Sequence, residues 1–114
     1  MSDLIFRMTK GGVAPVETRP DPEKLVSGDP VHTSWDFEER DGLYAGLWQS
    51  TPGAWRFHYE EWEYIRVHEG RAVLSCDDGT VMELKAGDTV VIRPGLSGVW
   101  EIFETMLKDY VIRL

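Results

Sequence analysis

The sequence predicts a small all-β barrel or double-sheet jelly roll. Three observations carry this. Short runs of alternating apolar and polar residues recur from His32 onward, turn residues punctuate them at regular spacing, and no helical period of any length follows Gly28. A chain of 114 residues is one domain by size. It can bury a core without disulfide or metal staples, because chains of about 100 residues hide well over half of their unfolded surface.

Residues 1–30 read as an extended N-terminal arm with little strand periodicity, holding Pro15, Pro20, Pro22 and Pro30. Within it, Asp21-Pro-Glu-Lys-Leu-Val-Ser-Gly28 reads as one short helical turn. Asp21 can cap it, Pro22 fits the first helical position, and Gly28 can end it with positive φ. The arm lies either on its own barrel or on a neighbour's. Residues 31–114 form the barrel. Strands are expected over 43–48, then, after the Thr51-Pro-Gly53 turn, over 55–59 and 63–68. Residues 71–76 pair with 81–84 across Asp77-Asp-Gly79, a tight-hairpin signal. Residues 89–92 are too apolar for one wet face and are expected at the sheet centre. Strands over 100–103 and 107–114 complete eight or nine.

Composition narrows the function classes. Twenty acidic against 12 basic residues give a net charge of −8, with no run of Lys or Arg to track phosphates, so nucleic acid and anionic membrane are not expected partners. The single Cys76 cannot form an internal disulfide, Met1-Ser-Asp-Leu-Ile-Phe-Arg7 lacks the apolar core of a secretory leader, and no stretch approaches the ~20 apolar residues of a membrane span. A soluble cytoplasmic setting is the expectation. Five Trp, four Tyr and four Phe are many for this length. Such rings suit strands, pocket walls and interfaces, and with the arm they predict a homodimer.

Residues 55–100 carry a resemblance. Trp55-Arg-Phe-His58-Tyr-Glu-Glu-Trp-Glu63 through Gly70, followed by Gly87-Asp88 and Gly95-Leu-Ser-Gly98-Val-Trp100, resembles the paired motifs of the cupin superfamily. Within that superfamily the chain is similar to the ureidoglycine aminohydrolase-like single-domain cupins, which include ethanolamine-utilisation relatives. The similarity rests on Trp48-Gln-Ser-Thr-Pro52-Gly53-Ala-Trp55, Glu69-Gly70, Gly87-Asp88, Gly95-Leu-Ser-Gly98-Val-Trp100-Glu101 and Lys108-Asp-Tyr110-Val-Ile112, and covers roughly residues 20–114. It implies an RmlC-like cupin jelly-roll barrel. It also implies a site at one open barrel end, where three histidines and a glutamate would hold a divalent metal. Here His58 and Glu63 keep two of those positions, Arg56 replaces one histidine and Gly98 the other. Two ligands do not make a closed or catalytic site, so no metal and no other cofactor is expected.

Alternation puts Arg56 and His58 on one face, and the resemblance sends Glu63 to the same interior. Arg56 is then a candidate clamp for a ligand carboxylate, with His58 as proton shuttle and Glu63 orienting it. The plain alternatives are an Arg56–Glu63 salt bridge and a satisfied rim histidine. Gly98 leaves room that Trp100 either walls for a planar ligand or simply plugs, and Trp48 is placed to face it. Lys108 and Tyr110 share a face with Met106 and Ile112, a mixture that suits either a core-lining or an exposed face, and the resemblance favours an inward lysine. His32 and His68 have no supporting pattern and are expected at the surface or an interface. Cys76, on the parity of Ala72 and Leu74, reads as a small buried hydrophobe. The chain is therefore expected to bind a small carboxylate- or ureide-bearing metabolite in the barrel. The alternative is an enzyme of the ureidoglycine aminohydrolase or ethanolamine-utilisation type, metal-assisted if His58 and Glu63 ligate.

Overall fold

Two long strands organise the protein. The computed structural model describes residues 2–114 and has nine strands: β1 (Val16–Thr18), β2 (Leu25–Gly28), β3 (His32–Arg40), β4 (Leu43–Ser50), β5 (Gly53–His58), β6 (Trp62–Cys76), β7 (Val81–Lys85), β8 (Thr89–Ile92) and β9 (Ser97–Arg113). β6 and β9 pair antiparallel along almost their whole length. Each bends midway and so serves two sheets. One runs β1-β3-β4, the second half of β9, the first half of β6, then β8. The other runs β2-β5, the first half of β9, the second half of β6, then β7. The result is the all-β cupin jelly roll expected from the sequence. Among the described residues no helix is long and apolar enough to cross a membrane.

The bend has a local cause. The β6–β9 register shifts three times between Val67 and Ala72, and such irregularities let a strand turn a corner without ending its ladder. Gly70 sits there with φ 89°, and an added Cβ would fall against the Thr105 carbonyl and within 2.6 Å of the Met106 Cα. Only glycine meets both demands. This is why residues 63–68 and 71–76 form one strand, not two, and why 100–103 and 107–114 also join: the polar breaks at Glu69 and Glu104-Thr105 are corners.

Inward parity is regular across the corner. Ile65, Val67, Ala72 and Leu74 of β6 meet Trp100, Ile102 and Met106 of β9, closed by Leu84, Ile92, Trp55 and Tyr59. Each large aliphatic chain so buried contributes about 1.5–3 kcal/mol. The same parity carries Glu63, Lys108 and Tyr110 inward, and all three are buried.

Two sequence expectations need correction. Residues 89–92 form an edge strand paired only with β6, with Val91 51% exposed; Ile92 alone is fully inward, so the apolar run has one wet face. Within the arm, Asp21 does cap a turn, accepting from Glu23 N at 3.0 Å, and Gly28 has φ 75°. One turn does form, with Lys24 N and Leu25 N donating to the Asp21 carbonyl at 2.8 and 3.1 Å, but it ends at Leu25. Leu25–Gly28 pairs with β5, and Val16–Thr18 pairs with β3. Ladder bonds from an open sheet edge outcompete a second helical turn. The arm therefore lies on its own barrel. Farther back, Phe6 stacks on Phe37 at 6.3 Å and Lys10 lies over Trp35, covering the outer face of β3.

Gly70→Ala is expected to lower unfolding free energy by about 2–4 kcal/mol, combining left-handed strain with backbone collision. Gly79→Ala, at φ 92° in the open β6–β7 turn, should cost only about 1–2 kcal/mol. Urea denaturation of both variants checks this; equal losses would mean that the corner is not held by backbone approach.

Candidate functional site

A cavity of about 510 Å³ opens between the two sheets, walled by β3, β4, β5, β6 and β9. Three rows of cross-strand neighbours build it. In the first, Asp36, Gly46 and Tyr110 stand side by side on β3, β4 and β9. Because Gly46 has no side chain, the Tyr110 hydroxyl reaches across it and donates to Asp36 Oδ1 at 2.6 Å. Burial first, and then the bond to Asp36, push the phenol well above its ordinary range, so it stays a donor.

In the second row, Trp48 lies directly opposite Lys108. Lys108 Nζ is 4.6 Å from the Trp48 ring centre and 5.2 Å from that of Trp100. It donates to Glu63 Oε2 at 3.2 Å, with side chains 7% and 5% exposed. In the third row, Trp55 faces Trp100 across β5 and β9, stacked at 6.5 Å. Tyr59 completes the floor. Its hydroxyl accepts from Trp100 Nε1 at 3.4 Å, and burial, then the neighbouring Glu63, hold it protonated well above 10.0.

His32, at the start of β3, is wedged between Trp48 and Trp55, at ring distances of 4.9 and 4.4 Å. Burial, then the Lys108 charge, lowers its pKa to about 4. The ring is neutral at pH 7, and its buried Nε2 has no hydrogen-bond partner among the described residues. The floor thus presents an ammonium, a carboxylate, a phenol and a neutral imidazole inside an aromatic wall.

Of the residues singled out from sequence, Trp48, Glu63, Trp100, Lys108 and Tyr110 converge here. Arg56 and His58 do not join them. Their side chains leave the opposite face of β5 and reach only the cavity rim. Arg56 forks onto Asp77 at 2.8 and 3.0 Å, not onto Glu63, and His58 Nδ1 meets Ser97 Oγ at 2.6 Å. The reason is that Trp55, Phe57 and Tyr59 take the inward parity, and three aromatic rings gain far more from burial than an Arg and a His. Gly98 opens no room either. A Cβ there would meet the Ser75 carbonyl and stand 2.8 Å from the Cys76 Cα, so Gly98 serves close strand approach.

His32, expected at the surface or an interface, lies in the cavity instead. Its only sequence signal is the shared parity of His32, Ser34 and Asp36. Trp55 was missed as a wall residue. His68 is a surface residue, 2.8 Å from Asp109. Cys76 is half-buried against the core, and burial, then Asp78 and Asp77, raise its thiol pKa, which lowers its thiolate fraction.

The metal implied by the resemblance does not fit these residues. Among the described residues no group of three or more His, Cys, Asp or Glu converges to hold an ion. The one inward carboxylate at those positions, Glu63, is engaged by an ammonium, which would repel a cation beside it.

Residues 37–110 match the EutQ-like cupin domain family. Among solved structures, a protein of unknown function of the DUF861 family from Pseudomonas syringae is 30% identical, with a TM-score of 0.78 over 88% of this chain and 43% of that one. The chain therefore spans less than half the length of that relative. A putative ethanolamine utilization protein, EutQ, from Salmonella typhimurium is 20% identical, with a TM-score of 0.65 over 90% of this chain and 98% of that one. EutQ from Clostridium difficile is 16% identical, with a TM-score of 0.67 over 74% and 63%. The last two likenesses are of fold. No curated protein matches the chain.

Lys108→Met alone strands the Glu63 charge and is expected to cost about 3–5 kcal/mol, whereas Lys108→Met combined with Glu63→Leu should recover most of that loss. Urea denaturation of the three variants measures the coupling, and additive losses would mean that water, not Lys108, satisfies Glu63. A pH effect follows from His32. Folded, it titrates near 4; unfolded, near 6.5. Between those values the unfolded chain binds the extra proton, so stability rises with pH across this window and is lost as pH falls through it. Wild type should therefore lose more stability than His32→Asn between pH 7 and pH 5; parallel losses would place His32 in water.

Proposed function

The chain belongs to the EutQ-like cupin family, and on that premise we propose that its barrel cavity binds a small polar metabolite. The observation that carries this reading is the buried Lys108–Glu63 pair opening on a cavity of about 510 Å³. That volume lies in the usual range for small-molecule sites, and an apolar wall with a few convergent polar groups is their usual lining. A buried ion pair is poor evidence for stability, since apolar residues of similar volume often serve the fold as well. Its place on a cavity floor favours recognition instead.

The geometry favours a ureide or carboxamide over a simple carboxylate. Lys108 keeps donors beyond the one given to Glu63, and Glu63 keeps acceptor capacity. A ureido group presents a carbonyl oxygen and an N–H side by side and matches both. A carboxylate matches the ammonium but sets its own charge near Glu63. Trp48, Trp55 and Trp100 offer flat faces to such a planar group. The anchor thus moves from Arg56 to Lys108. The metal-assisted enzyme reading draws no support from His58, which points away from Glu63.

Calorimetric titration with N-carbamoylglycine, acetamide and acetate tests the reading. The ureide should bind most tightly. Trp48→Ala should weaken it by roughly 1–2 kcal/mol, the scale of a lost aromatic contact, and Arg56→Ala should change it by less than about 0.5 kcal/mol. Saturable binding of none of the three would sink the proposal. A larger loss in Arg56→Ala would return the anchor to the rim.

A homodimer is proposed as well. Leu4 and Ile5 are 95% and 81% exposed, and β7 presents Val81 at 69%, apolar surface that a second copy would cover. Light scattering at micromolar concentration should give twice 13.0 kDa; the single-chain mass would contradict pairing.

A further inference from the structure

We propose that Lys108 is a carbonyl-capturing amine, forming a reversible protonated imine with a small aldehyde or ketone in the cavity. This deepens the binding reading above and rests on it, since the carbonyl compound must occupy the same pocket. Lys108 is 5% exposed, yet it is one of the residues lining the cavity. Lys10, Lys24 and Lys85, the other lysines, are all exposed. Withdrawal from water disfavours the ammonium, and Glu63 stands within reach as the group that can take its proton.

Each step balances within the pocket. The ammonium passes a proton to Glu63, 3.2 Å away. The free Nζ pair attacks the carbonyl carbon, and the nitrogen's proton moves to the alkoxide to give a carbinolamine. Glu63 then returns its proton to the departing hydroxyl, which leaves as water, and the C=N bond forms. One positive charge stands on Lys108 before and after. Glu63 and the faces of Trp48 and Trp100, which hold the ammonium, hold the protonated imine equally well, so no buried charge is created or lost.

The test sets this against ordinary reactivity. A buried, ion-paired lysine should be the slowest of the four to undergo reductive alkylation; a carbonyl-capturing one should be the fastest. The full chain is incubated at pH 7 with acetaldehyde or with pyruvate, each with sodium cyanoborohydride, and adducts are mapped by peptide mass spectrometry. Labelling of Lys108 at least tenfold faster than Lys10, Lys24 and Lys85 is expected, falling below theirs in Glu63→Gln, with the fold of that variant checked by urea denaturation. The wild-type ranking decides even if the variant does not fold. Lys108 unlabelled while the exposed lysines react overturns the imine. Calorimetric titration with N-carbamoylglycine, run on the same preparation, separates the two claims: binding without labelling leaves the pocket reading standing, and absence of both removes it too.

Discussion

The pairing of β6 with β9 is the constraint on which the rest of the molecule depends. One antiparallel ladder, bent near Gly70, supplies the centre of both sheets, so every other strand is placed by its register against one of these two. The site inherits that placement. Lys108 meets Trp48 because β4 pairs with the second half of β9, and Trp55 meets Trp100 because β5 pairs with the first half. The corner folds those two halves toward one another, and Lys108 lies within reach of both indoles although Trp48 and Trp100 are on different sheets.

Electrostatically, the cavity floor is a small closed system. Lys108 and Glu63 neutralise one another, Tyr59 and Tyr110 stay protonated, and His32 stays neutral partly because Lys108 is charged. Each group's state supports the next. Because Lys108 and Glu63 are buried, altering one charge is felt by the groups around it. A bound molecule must therefore complement the ammonium and the carboxylate together, which favours neutral ligands with mixed donors and acceptors.

Much of the fold was legible in the sequence, because turn residues and period-2 alternation report directly on hairpins and buried faces. The Asp77-Asp78-Gly79 hairpin and the inward parity of Trp100 are examples, whereas the mixed face of Lys108 and Tyr110 did not tell inside from outside without the resemblance. The corners of β6 and β9 were not legible, since a polar residue at a bend resembles one in a loop. The site was half legible. Glu63 and Lys108 could be placed by motif and parity, but β5 was placed by motif against parity. Trp55, Phe57 and Tyr59 alternate as cleanly as Arg56 and His58, and burial energy decides for the rings. His32 was out of reach because its position depends on Trp48 and Trp55, which come from strands remote in the chain.

The tryptophan wall has a spectroscopic consequence. Trp48, Trp55 and Trp100 are three of the five indoles in the chain, and successive pairs lie 6.1 and 6.5 Å apart. Indole rings that close, with planes inclined at 58° and 17°, are near enough for their electronic transitions to couple. The near-ultraviolet dichroism of this protein is therefore expected to report on its cavity, without any attached label.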